Sequence, residues 1–247
     1  MGEAVKLQAI VLNRVDYKES DRILTLLSPE KGKLTVSARG VKKQASKLRA
    51  GTELFAFGTY VLNETRGRFT VIAFDSIESF HKLREAFDRF SAGSLMLKLC
   101  DKTAAENEAA PELFLLLLRC LDKLRDPQYS AALVLSVFLL KLCAVMGYMP
   151  ELEYCSRCGR REDLLYLEPQ AGGICCSRCA GGGHPPITGG CLFYMRRILQ
   201  GSVNDAFLLK PTARQAKELY FAVCGYASYF FEGRVKIMDY LAKYDLL

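Results

Sequence analysis

The sequence predicts an α+β protein, a small β-barrel followed by helices, on three observations. Residues 1–80 carry short β-branched runs between polar turns. From His81 the apolar period lengthens to that of a helix. Two Cys-x-x-Cys pairs then interrupt the helical part. With 247 residues, half of them apolar and a quarter charged, the composition is globular and allows one large domain or two smaller ones.

The strands are read in order. Leu7–Leu12 is the first run, and Arg22–Leu27 follows a polar turn. Leu34–Ala38 is entered through Glu30-Lys31-Gly32-Lys33. After a longer gap come Leu54–Leu62 and Phe69–Phe74, joined by a Gly-containing hairpin connection, Asn63 to Arg68. Five short strands with the long connection between third and fourth suggest an OB-fold, with an SH3-like barrel as the alternative that strand count leaves open. Phe55, Phe57 and the alternate positions after them are expected on one strand face. Phe55, Phe57, Tyr60, Phe69 and Phe74 should then be mostly barrel core.

Beyond His81, Leu83, Ala86, Phe87 and Phe90 begin one apolar stripe that runs through Met96 and Leu99. Pro111 opens a second helix to Leu124, and Asp126-Pro127 ends it. Ala131–Met146 is an apolar helix stopped at Gly147; its longest run, Ala131–Leu140, is too short to span a membrane. Helical patterning resumes at Leu192–Leu199, Pro211–Phe231 and Val235–Tyr244. The expected organisation is a DNA-binding barrel over 1–80 and a helical domain over 81–247, with an insertion at about 151–190.

Within that insertion, Cys155, Cys158, Cys176 and Cys179 form two knuckles with 17 residues between them, a spacing that reads as a zinc site. Four thiolates fill a tetrahedral ion and leave no open position, so the expected role of one Zn2+ is structural. Cys175 adjoins Cys176, but Cys175 to Cys179 is one residue too long to mirror the first knuckle. His184 is within reach as a substitute ligand, and otherwise reads as a loop histidine before Pro185-Pro186. Cys100, Cys120, Cys143, Cys191 and Cys224 lie in apolar helical surroundings and read as small core residues.

Net charge is +7, and its location matters more than its size. Residues 31–52 hold seven basic residues and no acidic one: Lys31, Lys33, Arg39, Lys42, Lys43, Lys47 and Arg49. Arg66 and Arg68 at the hairpin extend the same field. On an OB-type barrel such a surface tracks nucleic-acid phosphates. The expected DNA contacts are Lys33, Arg39, Lys42, Lys43, Lys47, Arg49, Arg66 and Arg68, with 39–49 as the main one.

Catalysis is constrained by what the chain lacks. It has two histidines, no phosphate-binding Gly-Lys-Ser/Thr loop, no strand-then-GxGxxG entry and no HExxH pair. A zinc deaminase would need a histidine followed by x-Glu, which neither His81 nor His184 provides. The reading is therefore not an enzyme. No secretory signal is expected at the start, which places the ten cysteines in a reducing cytoplasm.

The strings Ala9-Ile10-Val11-Leu12, Tyr17 to Leu26, Lys31-Gly32-Lys33 and Ala38 to Lys43 resemble the N-terminal half of the bacterial RecO family of recombination mediators. The four-cysteine module within a helical domain is similar as well. The resemblance implies a protein of DNA repair and recombination that binds single- and double-stranded DNA and anneals complementary strands. It implies work with RecR to load the RecA recombinase onto strands coated by single-strand-binding protein, whose acidic, hydrophobic tail it would also bind. RecF is a further implied partner; no membrane and no small-molecule substrate are expected. An acidic tail needs an apolar pocket rimmed by cations, and Phe193, Tyr194, Arg196 and Arg197 offer both. The rival reading is a zinc-ribbon adaptor of transcription or translation whose basic loop binds RNA.

Overall fold

The computed structural model describes residues 3–183, 185–244 and 246. By packing the chain divides into two units, Met1–Leu118 and Arg119–Leu247.

The first unit opens with β1 (Glu3–Tyr17), β2 (Asp21–Ser28), β3 (Gly32–Ala38), β4 (Phe57–Thr65) and β5 (Arg68–Glu78). They close into a barrel in the order β1-β2-β3-β5-β4, antiparallel throughout except for the β3–β5 pair. That is the OB-like arrangement, and it removes the SH3-like alternative. β1 is longer than its apolar run because it serves two partners. Its first half, Glu3 to Ile10, pairs with β4 and its second, Ile10 to Tyr17, with β2. A register shift at Leu12 bends the strand between them, as β-bulges do at barrel corners. Leu24, Leu26, Leu34, Val36, Tyr60 and Leu62 alternate inward and fill the interior.

The aromatic residues divide differently from the expected single face. β4 begins at Phe57, and its buried positions are Gly58, Tyr60 and Leu62. Phe57 therefore faces the other way, edge-on to Phe114 at 5.9 Å. Phe55 precedes the strand with φ +69° and is fully buried, edge-on to Phe90. Only Tyr60, Phe69 and Phe74 belong to the barrel cluster. The parity argument failed because the strand starts after Phe55, not before it.

After a 3-10 turn (His81–Glu85) and an extended Ala86, α1 runs Phe87–Thr103. The expected stripe from Leu83 is thus broken, leaving Leu83 buried and Phe87 65% exposed. α2 spans Pro111–Leu124, as expected. The segment between α1 and α2 pads the seam beside β3: Lys33 N–H donates to Ala105 O, Asn107 N–H to Lys33 O, and Ala110 N–H to Pro29 O. Gly32, at φ +59°, must be glycine, because a Cβ there would overlap the Glu108 carbonyl.

The second unit is built on α3 (Ala131–Val145), capped by Ser130 and buried along most of its length. α4 (Gly189–Gln200), α5 (Val203–Ala206), α6 (Ala213–Phe231) and α7 (Ile237–Lys243) complete it, α6 packing on α3, α4 and α7. Thr188 caps α4, and Thr212 with Gln215 forms a capping box at α6. Between α3 and α4 lies the cysteine module, whose two strands are β6 (Leu164–Glu168) and β7 (Gly173–Cys176). Among the described residues no helix is long and apolar enough to cross a membrane.

Candidate nucleic-acid interface and metal centre

The connection from β3 to β4 is held at both ends by charged residues of β1 and β2. At its start the Asp21 carboxylate accepts the Gly40 N–H at 2.8 Å, and Ser20 O accepts the Lys42 N–H. At its end Arg22 donates to Thr52 Oγ1 (2.8 Å) and pairs with Glu53 (2.9 Å), which Arg14 also meets. Asp16 links the two ends, accepting from Lys42 Nζ at 2.9 Å and Arg22 Nε at 3.1 Å. Those two donors hold the Asp16 carboxyl below its ordinary range, and the Gly40 N–H does the same for Asp21. Burial pushes Glu53 up, but its arginines outweigh that and leave it lowered. Val41 is buried, so the loop is pinned and not a free tether.

These anchors sort the cations. Arg39, Lys43, Lys47, Arg49, Arg66 and Arg68 are exposed. Arg39, Arg66 and Arg68 line one polar groove with Asn63, Thr65 and Thr70. Lys42 is occupied by Asp16. Lys33 is placed elsewhere: its ammonium donates to Asp101 O at the end of α1, one of the carbonyls a helix terminus leaves open. A lysine within a strand gave no sign in the sequence of which side it would take. The residues that aim the loop, Asp16, Asp21, Arg22 and Glu53, were not singled out as site residues. Asp21 and Arg22 lie in the Tyr17–Leu26 string, whereas Asp16 and Glu53 carried no signal of their own in the sequence.

In the module the Sγ atoms of Cys155, Cys158, Cys176 and Cys179 all lie within 4.8 Å of one another. Cys158 and Cys176 are 3.8 Å apart, and a tetrahedron with thiolate arms of about 2.3 Å has edges of about 3.8 Å. The donor set therefore fits a metal ion. Each knuckle is a tight turn: Gly159, at φ +73°, donates to Cys155 O, and Cys179 N–H donates to Cys176 O. Burial alone would raise the Cys155 thiol, but backbone N–H groups of Cys176, Arg157 and Cys158 bring it down to about 6, while the sulfurs of Cys158 and Cys176 push Cys179 up to about 12. Cys175 points out of the cluster, buried beside Arg157 and Glu168, and burial first, Glu168 second, push it up to about 11. It stays a thiol. His184 lies outside the described residues.

Glu168 was missed by the sequence reading and joins the two knuckles. It is buried, pairs with Arg157 inside the first knuckle at 2.9 Å, and accepts the Gly181 N–H just after the second. Nothing in the sequence separates it from any other strand-end glutamate.

The four residues expected to hold an acidic tail do not share one pocket. Phe193 and Arg197 face outward, and Tyr194 reaches Gln215 at 3.5 Å. The Arg196 guanidinium donates to Leu152 O and lies 3.5 Å from Glu153. It does form one side of a pocket lined by Met149, Pro150, Leu152 and Leu199 together with Glu151, Glu153 and Gln200.

Comparisons with known proteins agree with this layout. The family model described as "Recombination protein O N terminal" matches residues 1–80, and "Recombination protein O C terminal" matches 84–232. A "DNA repair protein RecO" of Desulfitobacterium hafniense is 37% identical over 220 residues, covering 85% of this chain and 79% of the relative. One of Bacillus pumilus is 35% identical over 175 residues (71% and 68%), and one of a Nocardioides species 31% over 242 (96% and 98%).

Proposed function

This chain belongs to the RecO family, and from that premise we propose that it is a non-enzymatic DNA-binding mediator of recombinational repair. It anneals complementary single strands and, with RecR, helps load RecA onto strands coated by single-strand-binding protein; RecF is a further partner. The work is divided between a DNA-binding barrel over 1–80 and a helical domain over 81–247 that carries the module, and the setting is the cytoplasm.

One observation carries the reading. Six exposed cations, Arg39, Lys43, Lys47, Arg49, Arg66 and Arg68, stand on an OB-like barrel at one loop and the neighbouring hairpin. Tyr60, Phe69 and Phe74 pack into the barrel cluster and no aromatic ring lines the arginine groove, which supports a contact with phosphates that is independent of sequence. That suits annealing, because neutralising two backbones lets complementary strands approach. The four thiolates hold one structural Zn2+, since soft thiolate sets in a closed tetrahedron suit zinc. The acidic tail of single-strand-binding protein docks on the helical domain, with Arg196 as the cation beside the pocket of Met149, Pro150, Leu152 and Leu199.

An annealing assay with matched DNA and RNA strand pairs tests the reading. Acceleration of DNA annealing by the purified protein is expected. Acceleration confined to RNA would favour an RNA-binding adaptor, and none at all would remove the annealing activity.

A further inference from the structure

We propose that the groove at the tip of the β4–β5 hairpin is a seat for the phosphodiester backbone of one strand, gripped by the forked hydrogen bonds of Arg39, Arg66 and Arg68. It supplies the part of binding that salt does not remove. This rests on the DNA-binding reading above and deepens it.

The seat follows from the ladder. Asn63 pairs with Thr70 and Thr65 with Arg68 across the hairpin, so the four side chains share one face. Glu64 and Phe69 pair on the opposite face, which takes that acid and that aromatic ring away from the groove. β3 lies alongside through the Ser37–Thr70 pair, and Arg39 follows its end onto the same groove. The lining is three arginines, two threonines and an asparagine, with no carboxylate and no aromatic group. Asp21, the acid whose charge acts on Arg39, is committed to the Gly40 N–H. A groove of three guanidinium groups, two hydroxyls and one amide, whose NH2 already donates to Thr65, suits backbone oxygens and has no aromatic ring on which a base could stack.

All three cations are arginine, whereas lysines dominate the adjoining loop at Lys42, Lys43 and Lys47. A planar guanidinium grips phosphate through two parallel bonds; an ammonium acts as a point charge. Arg66 adds an independent sign. It sits with Gly67 in the two-residue turn, both at positive φ (+53° and +73°), where asparagine before glycine is the favoured pair. An arginine there works against local preference, as residues retained for a contact do.

Two variants test the seat, with a fluorescent oligothymidylate as probe across a salt series. Arg39→Lys, Arg66→Lys and Arg68→Lys combined keep every charge. The slope of log K against log salt should match the wild type, with affinity at least about fivefold weaker at every salt concentration. Equal affinity throughout overturns the proposal. Arg66→Asn suits the turn better, so its thermal midpoint should equal or exceed the wild type while its affinity falls about threefold. Wild-type affinity in a folded Arg66→Asn protein overturns the proposal too, and decides alone if the triple variant does not fold. If wild-type protein fails to bind the oligonucleotide, the DNA-binding reading itself fails, which neither variant result can mimic.

Discussion

The β3–β4 loop and the cysteine module are both long, irregular segments, and they are fastened by opposite means. The loop is tied at its two ends, by Asp21 and Ser20 at one and Arg22 with Glu53 at the other, through contacts that are mostly half-exposed. Pairs of that kind contribute about 0–1 kcal/mol each. The module is fastened through its middle, by four thiols within 4.8 Å and a buried Glu168. The contrast is instructive. On the proposed DNA-binding reading, a surface that exchanges its counterions for phosphates is restrained weakly and from the ends, which leaves most of its cations exposed. A segment whose task is to keep its shape is fixed at its centre.

Metal removal should break the comparison most severely. Apparent folding contributions of a structural zinc are about 10 kcal/mol, far beyond what the module's few buried aliphatic residues can replace. Chelation, or Cys176→Ser, should abolish hydrogen-exchange protection over 151–190 and leave the barrel's unchanged; Cys175→Ser should retain one metal per chain by elemental analysis. Absence of stoichiometric metal from freshly purified reduced protein would contradict the reading.

The next largest effect belongs to the loop. Lys43→Ala, Lys47→Ala and Arg49→Ala together should flatten the single-strand salt slope by about 2 units, at about 0.7 per phosphate, and weaken all sequences alike. These residues are exposed, so thermal stability should change little. Equal slopes in a salt titration beside the wild type would show that the loop does not carry the contact.

Acid should separate the two regions in a smaller way. Asp16, Asp21 and Glu53 all titrate below their ordinary values, so the restraint they give is complete above about pH 4 and fades as pH falls through the lowered values. Limited proteolysis within 39–53 should be flat from neutral pH down to about 4 and rise below it. The smallest effect is Asp16→Asn, which releases Lys42. The salt slope should steepen by up to about 0.7 and affinity should rise severalfold; an unchanged titration would mean that Lys42 leaves Asp16 whenever a strand binds.

The sequence made legible whatever is periodic or chemically distinctive. α2 was placed to the residue, the strands other than β1 within a few, and the four cysteines by spacing alone. What it hid depends on direction at single positions. Phe57 and Lys33 are each one step from a different role, since alternate strand residues face opposite sides. Phe55 took a left-handed backbone that no propensity announces. Glu168 and Asp16 act only because distant segments bring an amide or an ammonium to them. Fifteen residues of β1 could not be read from a six-residue apolar run, because its second half pairs along a half-exposed edge.

The padding beside β3 has a consequence in time. The Lys33 N–H and the Lys33 and Pro29 carbonyls find their hydrogen-bond partners at Ala105, Asn107 and Ala110, all of them downstream of the last barrel strand. A chain emerging from the ribosome at about 5–20 residues per second therefore completes β5 some 2–6 s before those partners appear. During that interval Gly32 and Lys33 present an unclosed strand edge, the kind of surface on which nascent chains pair with one another. Synthesis speed between residues 78 and 110, and the holdases present at the exit tunnel, thus bear on the yield of folded protein as directly as any contact inside the finished barrel.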